Sequence, residues 1–359
     1  MSRPRKQEQE DAVREVSEVA PGIIRMQLPI QFTGLGHVNC YALEDEKGWT
    51  VVDPGLPGRD SWVALTDRLG QLGAGTGDVH TVVVTHSHPD HFGGAGKLGE
   101  DNGARVVTHE AFRTWFDADD IDDRELEDGS STTPDDRERA RRQRRRPLRG
   151  RRPAWGGKPA RPPARIMLRF AFRRRSASKW FAPPRPTNRL EEADVITLGR
   201  REWVAMHTPG HTTDHLCLFD PSDGVLLSGD HVLPTITPHI AGAEREHRDT
   251  LREFFDSLER TAALDGVELV LPAHGHPFTD LPGRVKDIER HHEDRLDQLR
   301  EISAELGPSD VSTLSQRLFA PRAWGHMAES ETFAHLEHLR LLGEMDRVEE
   351  GGRLVYSTP

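Results

Sequence analysis

The sequence has 359 residues, with 48 Lys and Arg against 59 Asp and Glu for a formal charge of −11, 35% apolar residues and two cysteines. That length makes two domains, or one large domain with an appendage. Two cysteines build neither a disulfide framework nor a CxxC metal knot, and no run approaches the roughly 18 apolar residues of a membrane span. The charged start, MSRPRKQEQEDAVREV, has no apolar signal core, so the expected location is the cytoplasm.

Residues 1–20 are polar and are expected to form a frayed, flexible end. From Gly22 the pattern changes to short apolar runs, GIIRMQLPI, HVNCYALE and GWTVVDPG, each bounded by turn residues as strands are. Residues 61–72 carry helical spacing. TVVVTHSHPDHFGG opens with a β-branched run that predicts a buried strand and stops in a His/Asp cluster. Further strands are predicted at ARVVTH, REWVAMH, GVLLSGD and VELVLPAH, and helices at 249–264 and 284–306. Strands alternating with helices indicate an α/β layered domain, placed at 21–306.

Residues 113–190 interrupt the pattern. Between 117 and 136 stand ten acidic residues and one Arg, and between 137 and 185 nineteen Lys or Arg and one Glu. Such blocks cannot bury enough apolar surface to offset chain entropy, so a largely mobile insertion is expected, with ARIMLRFAFRRRSASKWF (164–181) as an amphipathic piece. The last block, 307–359, reads as helix (VSTLSQRLF), helix (ETFAHLEHLRLLGEM) and two short strands around Gly351-Gly352. That order predicts a small winged-helix-like domain.

The chemistry concentrates in His86-Ser87-His88-Pro89-Asp90-His91. Three imidazoles and a carboxylate directly after a buried strand are poor core material, and a divalent cation gives them a reason to converge. Alternate positions His86 and His88 can share one metal; Asp90 and His91, past the turn, can reach a second. The same architecture returns downstream: His211 follows a strand, and Asp230 and His274 end two more. Open α/β sheets gather ligands at strand ends along one edge. The arithmetic for two metals is His86, His88 and His211 on one, Asp90, His91 and His274 on the other, and Asp230 bridging. Cys217, in a strand-like run, reads as core. Spare histidines His231, His239 and His276 receive no metal role, and His37 and Asn39 read as structural residues bordering the pocket.

HxHxDH followed by TPGHT, SGD and AHG resembles the metallo-β-lactamase superfamily over about residues 20–280, the insertion apart. The resemblance implies an αββα sandwich and is nearer to glyoxalase II-like thioesterases, lactonases and nucleases than to true β-lactamases. It implies that Asp53, in VVDPG, orients the ligand loop from outside the metal shell; an Asx-turn before Pro-Gly explains the same residue. His215, four after His211, sits where the family has GHTxGH and is assigned a packing or outer-shell role. The basic glutathione-binding set of glyoxalase II proper has no counterpart in this sequence.

The expected reaction is attack on an ester or thioester carbonyl, of acyl-thioester or lactone type, by a hydroxide bridging two metals. Asp90 orients the nucleophile and receives its proton. Zinc is the expected metal; a His/Asp set with no soft ligand also suits iron or manganese. The alternative is a metal-dependent endoribonuclease or phosphodiesterase. The Arg-rich insertion favours it, whereas residues 311–359 hold five Arg against seven acidic residues, without the basic face of a nucleic-acid reader. A tail that builds structure or a homodimer is the reading adopted.

Overall fold

The computed structural model describes residues 6–32, 34–114, 153–156, 179–242 and 248–359. Apart from 113–114, 153–156 and 179–190, the charged insertion and its expected mobility lie outside the described residues. In chain order come β1 (Ser17–Ala20), β2 (Ile23–Phe32), β3 (Leu35–Asp45), β4 (Gly48–Val52), α1 (Arg59–Gln71), β5 (Val79–Val83), α2 (Pro89–Phe92), α3 (Ala95–Asn102), β6 (Arg105–His109) and β7 (Asn188–Leu190). The second half has β8 (Val195–Leu198), β9 (Arg201–His207), β10 (Leu216–Asp220), β11 (Val225–Gly229), α4 (Thr250–Ala262), β12 (Leu269–Pro272) and α5 (Leu281–Leu306). The tail adds β13 (Ser309–Asp310), α6 (Val311–Leu318), α7 (His326–Leu341), β14 (Asp346–Glu350) and β15 (Arg353–Ser357).

Strands β1 to β7 form one sheet in chain order, antiparallel up to β4 and parallel from β4 onward. The other large sheet runs β12-β11-β10-β9-β8, with only β11 and β12 parallel. Successive side chains of a strand leave opposite faces, and the burial follows that period. Tyr41, Leu43, Val83 and Leu190 of the first sheet meet Trp203, Ala205, Leu216, Leu218 and Leu227 of the second in one apolar layer. Their neighbours Cys40, Ala42 and Val82 face outward into a cluster with Ala64, Leu65 and Leu69 of α1 and Leu98 of α3. On the far side Met206, Cys217, Phe219 and Leu226 pack with Phe254 of α4, Val285 and Ile288 of α5, and Phe333 of α7. The result is a four-layer αββα sandwich. Strands covered on both faces read as continuous apolar runs, which is why TVVV and GVLLSG stand out in the sequence.

Residues 6–20, expected as a frayed end, make specific contacts instead. A 3-10 turn at Gln7–Gln9 buries Glu8 completely, and its carboxylate accepts the backbone N–H groups of Thr235 and Ile236 at 2.7 and 3.0 Å. Buried backbone groups supply what the polar sequence could not signal. The strands β1, β8, β10 and β13 and the short β7 were not predicted as separate elements; all are five residues or fewer. Helix α5 starts at Leu281 behind an Asp280 cap whose side chain accepts from Gly283 N. It ends at Gly307, whose φ of 69° suits a glycine terminator.

The tail sheet is ordered β13-β15-β14. Val311, Leu314, Leu336 and Tyr356 of the tail share one apolar cluster with Leu296 and Leu299 of α5 and Leu251 of α4. The core therefore runs across the boundary drawn at 307. Among the described residues no helix is long and apolar enough to cross a membrane.

Candidate metal centre

Strand β5 delivers the HxHxDH segment. After Val83 the chain turns through Thr85–His88, and Pro89 starts the single turn α2 that presents Asp90 and His91. Proline at the first helical position loses no hydrogen bond and presets the turn. His211 follows β9, Asp230 follows β11 and His274 follows β12. All seven expected ligands collect at one end of the sandwich, in two groups: His86, His88, His211 and Asp230, and Asp90, His91 and His274.

The first group cannot satisfy itself with protons. Thr85 donates its hydroxyl to Asp53 Oδ2, so its oxygen accepts His86 Nδ1–H at 3.0 Å. His211 donates Nδ1–H to the carbonyl of His239 at 2.8 Å. Both rings, neutral, then carry a bare lone pair on Nε2. These two lone pairs face His88 Nδ1 at 3.1 and 3.0 Å, where at most one proton is available. Burial and then the neighbouring imidazoles push His86 and His88 well below the ordinary histidine range, so protonation does not resolve the conflict. A cation does: three nitrogens about 2.0–2.1 Å from one tetrahedral centre stand about 3.3 Å apart.

The second group has the opposite electrostatics. His91 donates Nδ1–H to Asp53 Oδ2 at 2.9 Å, and His274 donates Nδ1–H to the carbonyl of His37 at 2.6 Å. Their Nε2 atoms, and Asp230 Oδ1, are buried without a hydrogen-bond partner. Burial opposes charge on His91, yet the carboxylates of Asp90, Asp230 and Asp53 more than offset it and hold its imidazolium well above the ordinary range. This half is a pocket of negative potential waiting for positive charge. Asp230 lies between the halves: Oδ2 is 3.5 Å from His211 Nε2 and 3.8 Å from His86 Nε2, while Oδ1 is 3.3 Å from His274 Nε2. Asp90 Oδ2 stands 3.6 Å from His274 Nε2 and 3.7 Å from His91 Nε2. Orphaned buried atoms and an all-His/Asp donor set fit two divalent cations.

The two outer residues are placed in detail. Asp53 is 1% exposed and sits at φ 53°, a left-handed conformation that non-glycine residues seldom adopt. In that pose Oδ1 accepts Thr85 N–H at 2.8 Å while Oδ2 takes the Thr85 hydroxyl and His91. One carboxylate thus fixes a ring in each group. His215 donates Nδ1–H to Thr208 Oγ1 at 2.7 Å and accepts the backbone N–H of Asp230 on Nε2 at 3.0 Å. Gly229 makes room for it, since a Cβ there would lie 2.6 Å from His215 Nε2. Cys217 is buried in β10.

Some supporting contacts escaped the sequence reading. Thr85 is signalled only by its place before His86. His37 holds His274 through its backbone carbonyl and grips the rim with both ring nitrogens, Nδ1 donating to Glu10 O and Nε2 accepting from Gly275 N. His239, given no metal role, contributes its carbonyl to His211. Backbone acceptors leave no trace in residue identity.

A family model described as "Metallo-beta-lactamase superfamily" matches residues 33–274. The chain is 22% identical over 353 residues to "Probable metallo-hydrolase YqjP" of Bacillus subtilis, covering 94% of this chain and 98% of that protein. Among solved structures it is similar to a metallo-beta-lactamase family protein from Thermus thermophilus, with TM-score 0.72 and 28% identity over 95% of this chain and 100% of that one. A beta-lactamase domain protein from Burkholderia ambifaria gives TM-score 0.70 and 26% identity over 97% of this chain and 96% of that one. Covered by the family model over most of its length, with both His/Asp groups at the strand ends, the chain belongs to the metallo-beta-lactamase superfamily.

Proposed function

We propose that the protein is a dinuclear metal-dependent hydrolase of small esters or thioesters, of the acyl-thioester or lactone type. The observation that carries this reading is the placement of Asp230 between two triads whose inward nitrogens lack protons or partners. Two divalent cations, zinc above all, would supply Lewis acidity and acidified water there. The chain's own residues orient the reaction. Asp90, 7% exposed at the rim, accepts a proton from the attacking water and passes it to the departing alkoxide or thiolate as the carbonyl C–O or C–S bond breaks. Asp53 and His215 hold the rings and the Asp230 backbone so that this geometry costs no reorganisation.

The nucleic-acid alternative has a structural argument against it. We read the tail as winged-helix-like from its helix, helix and hairpin order. A reader of that type offers one helix to a groove. Helix α7 is instead buried at Ala328, Ser330 and continuously from Thr332 to Leu339, with Phe333, Leu336 and Leu339 in the shared core. Only its two ends, at His326–Met327 and Leu341, are exposed.

Metal analysis of the purified protein alongside a panel of thioesters, lactones, phosphodiesters and RNA tests the proposal. The expected result is about two equivalents of metal and turnover of a thioester or lactone. Turnover of RNA alone, with steep loss on adding salt, would overturn it.

A further inference from the structure

Half of the metal centre is tied to the tail by a chain of side chains. His211 donates Nδ1–H to the carbonyl of His239 at 2.8 Å, and His239 lies in the irregular segment after β11. That segment is docked on α7. The ring of His239 donates Nδ1–H to Glu331 Oε2 at 3.2 Å, and Gly242 N–H donates to Ser330 O at 3.2 Å. The approach is close: a Cβ on Gly242 would lie 2.3 Å from the Phe333 ring. Glu331 is itself fixed by an ion pair with Arg295 of α5. His335 donates Nδ1–H to the Glu331 carbonyl at 2.7 Å, and its Nε2 meets His292 Nδ1 of α5 at 3.0 Å.

We propose that Glu331 is a positioning residue for His211, so that the C-terminal unit sets the cation affinity of the His86/His88/His211 half. An outer-shell partner fixes a metal-binding ring and typically changes metal affinity 10–100-fold when removed. Here the partner of the ring is a backbone carbonyl, which no substitution removes, and the side chain that fixes the carbonyl is Glu331. His292, Glu331 and His335 are close enough to be taken for a third cation site. The Arg295 guanidinium already neutralises that carboxylate, and the His335 Nε2 lone pair is taken by His292 Nδ1–H, which leaves His292 Nε2 as the one orphaned atom of the trio, so the trio serves as a brace between α5 and α7.

The metal readout of this inference rests on the dinuclear reading, so the test includes one that does not. Full-length wild type, Glu331→Ala, Glu331→Gln and Glu337→Gln are titrated with zinc against a chelator. Glu337 is the control: it sits on the same helix and binds Tyr356, Arg340 and Arg347, away from His239. Glu331→Ala should weaken one zinc equivalent about 10–100-fold and leave the other within about twofold. Glu331→Gln, which can still accept from His239, should recover most of that loss. Glu337→Gln should lower the melting temperature and leave both affinities unchanged. In the metal-free protein, nitrogen-detected NMR should show a slowly exchanging Nδ1–H on His211 in wild type and a loss of that protection in Glu331→Ala. Unchanged protection and affinity in Glu331→Ala, or an equal loss in Glu337→Gln, would overturn the proposal. Three wild-type zinc equivalents, one lost with Glu331, would make Glu331 a ligand and also overturn it. If wild type takes up no zinc, the dinuclear reading fails while the NMR comparison still decides the positioning role.

Discussion

The two halves of the metal centre reach the same chemistry from different supports. The Asp90/His91/His274 half is built into the sandwich: its outer nitrogens end on the Asp53 carboxylate and a β3 carbonyl, and its three side chains are all buried. The His86/His88/His211 half sits nearer the surface, with neutral rings, and one of its supports is a loop pinned by the tail. The first half attracts a cation by charge; the second resolves a shortage of protons. Cations bound in the two halves should leave by different routes.

The largest expected effect removes what the halves share. Asp230→Asn should lower metal content below two equivalents and cut hydrolysis on the order of 10³-fold, about 4 kcal/mol. Full metal content with full turnover in that variant would refute a bridging role. Next comes Asp53→Ala, which strands the Thr85 N–H, the Thr85 hydroxyl and His91 Nδ1–H in a buried site. Denaturant titration should show a loss of about 3–5 kcal/mol, with both zinc affinities reduced. Retention of the His91-side affinity would show that Asp53 is only a turn former.

The third experiment sharpens the difference through pH. Burial alone would raise the Glu331 carboxyl, but His239 and Arg295 more than compensate and hold it down at about 2, below its ordinary 4.5. A carboxylate depressed in the native state adds stability above its unfolded value, and this is lost as pH falls toward the native value. Metal-free wild type should therefore exceed Glu331→Gln by up to about 3 kcal/mol above pH 5. The gap should close between roughly pH 4.5 and 2, and a gap independent of pH would exclude the charge as its source. The smallest effect belongs to the N-terminal turn. Glu8→Gln weakens the carboxylate's bonds to Thr235 and Ile236 and should cost about 1–2 kcal/mol. Zinc stoichiometry should not move; a lost equivalent would extend the outer shell to the N-terminus.

Much of this centre could be read from the sequence because side-chain identity and strand punctuation coincide. His86, His88, Asp90 and His91 announce themselves after a β-branched run, and His211, Asp230 and His274 each close a predicted strand. What supports them could not be read in the same way. His37 and His239 hold ligand rings through carbonyls, which every residue possesses. Glu8 looks like solvated charge among charged neighbours, and only the fold brings residues 235–236 over it. The sandwich itself was legible from doubly buried strands, whereas the four residues of β8 are too short a run to stand out beside the insertion. At residue 307 the chain does change character, but long-range apolar contacts join what local patterning separated.

Trp155 has a consequence of its own. It stands inside the charged insertion and is nevertheless 6% exposed, tilted against Phe333, with its indole N–H on Glu329 and its carbonyl accepting Leu354 N–H at 3.1 Å. Gly156 bridges to Arg353, so residues 153–156 close against α7 and the last strand. Among the described residues its polar and ring partners His326, Glu329, Phe333 and Leu354 all lie in the tail, so these contacts wait until nearly the whole polypeptide has been made. Such remote pairing is slow to form, and until then an apolar ring stays available to chaperones and to neighbouring nascent chains. Trimming the insertion to make a simpler enzyme would therefore cut out a keystone of the tail, unless residues 153–156 were kept.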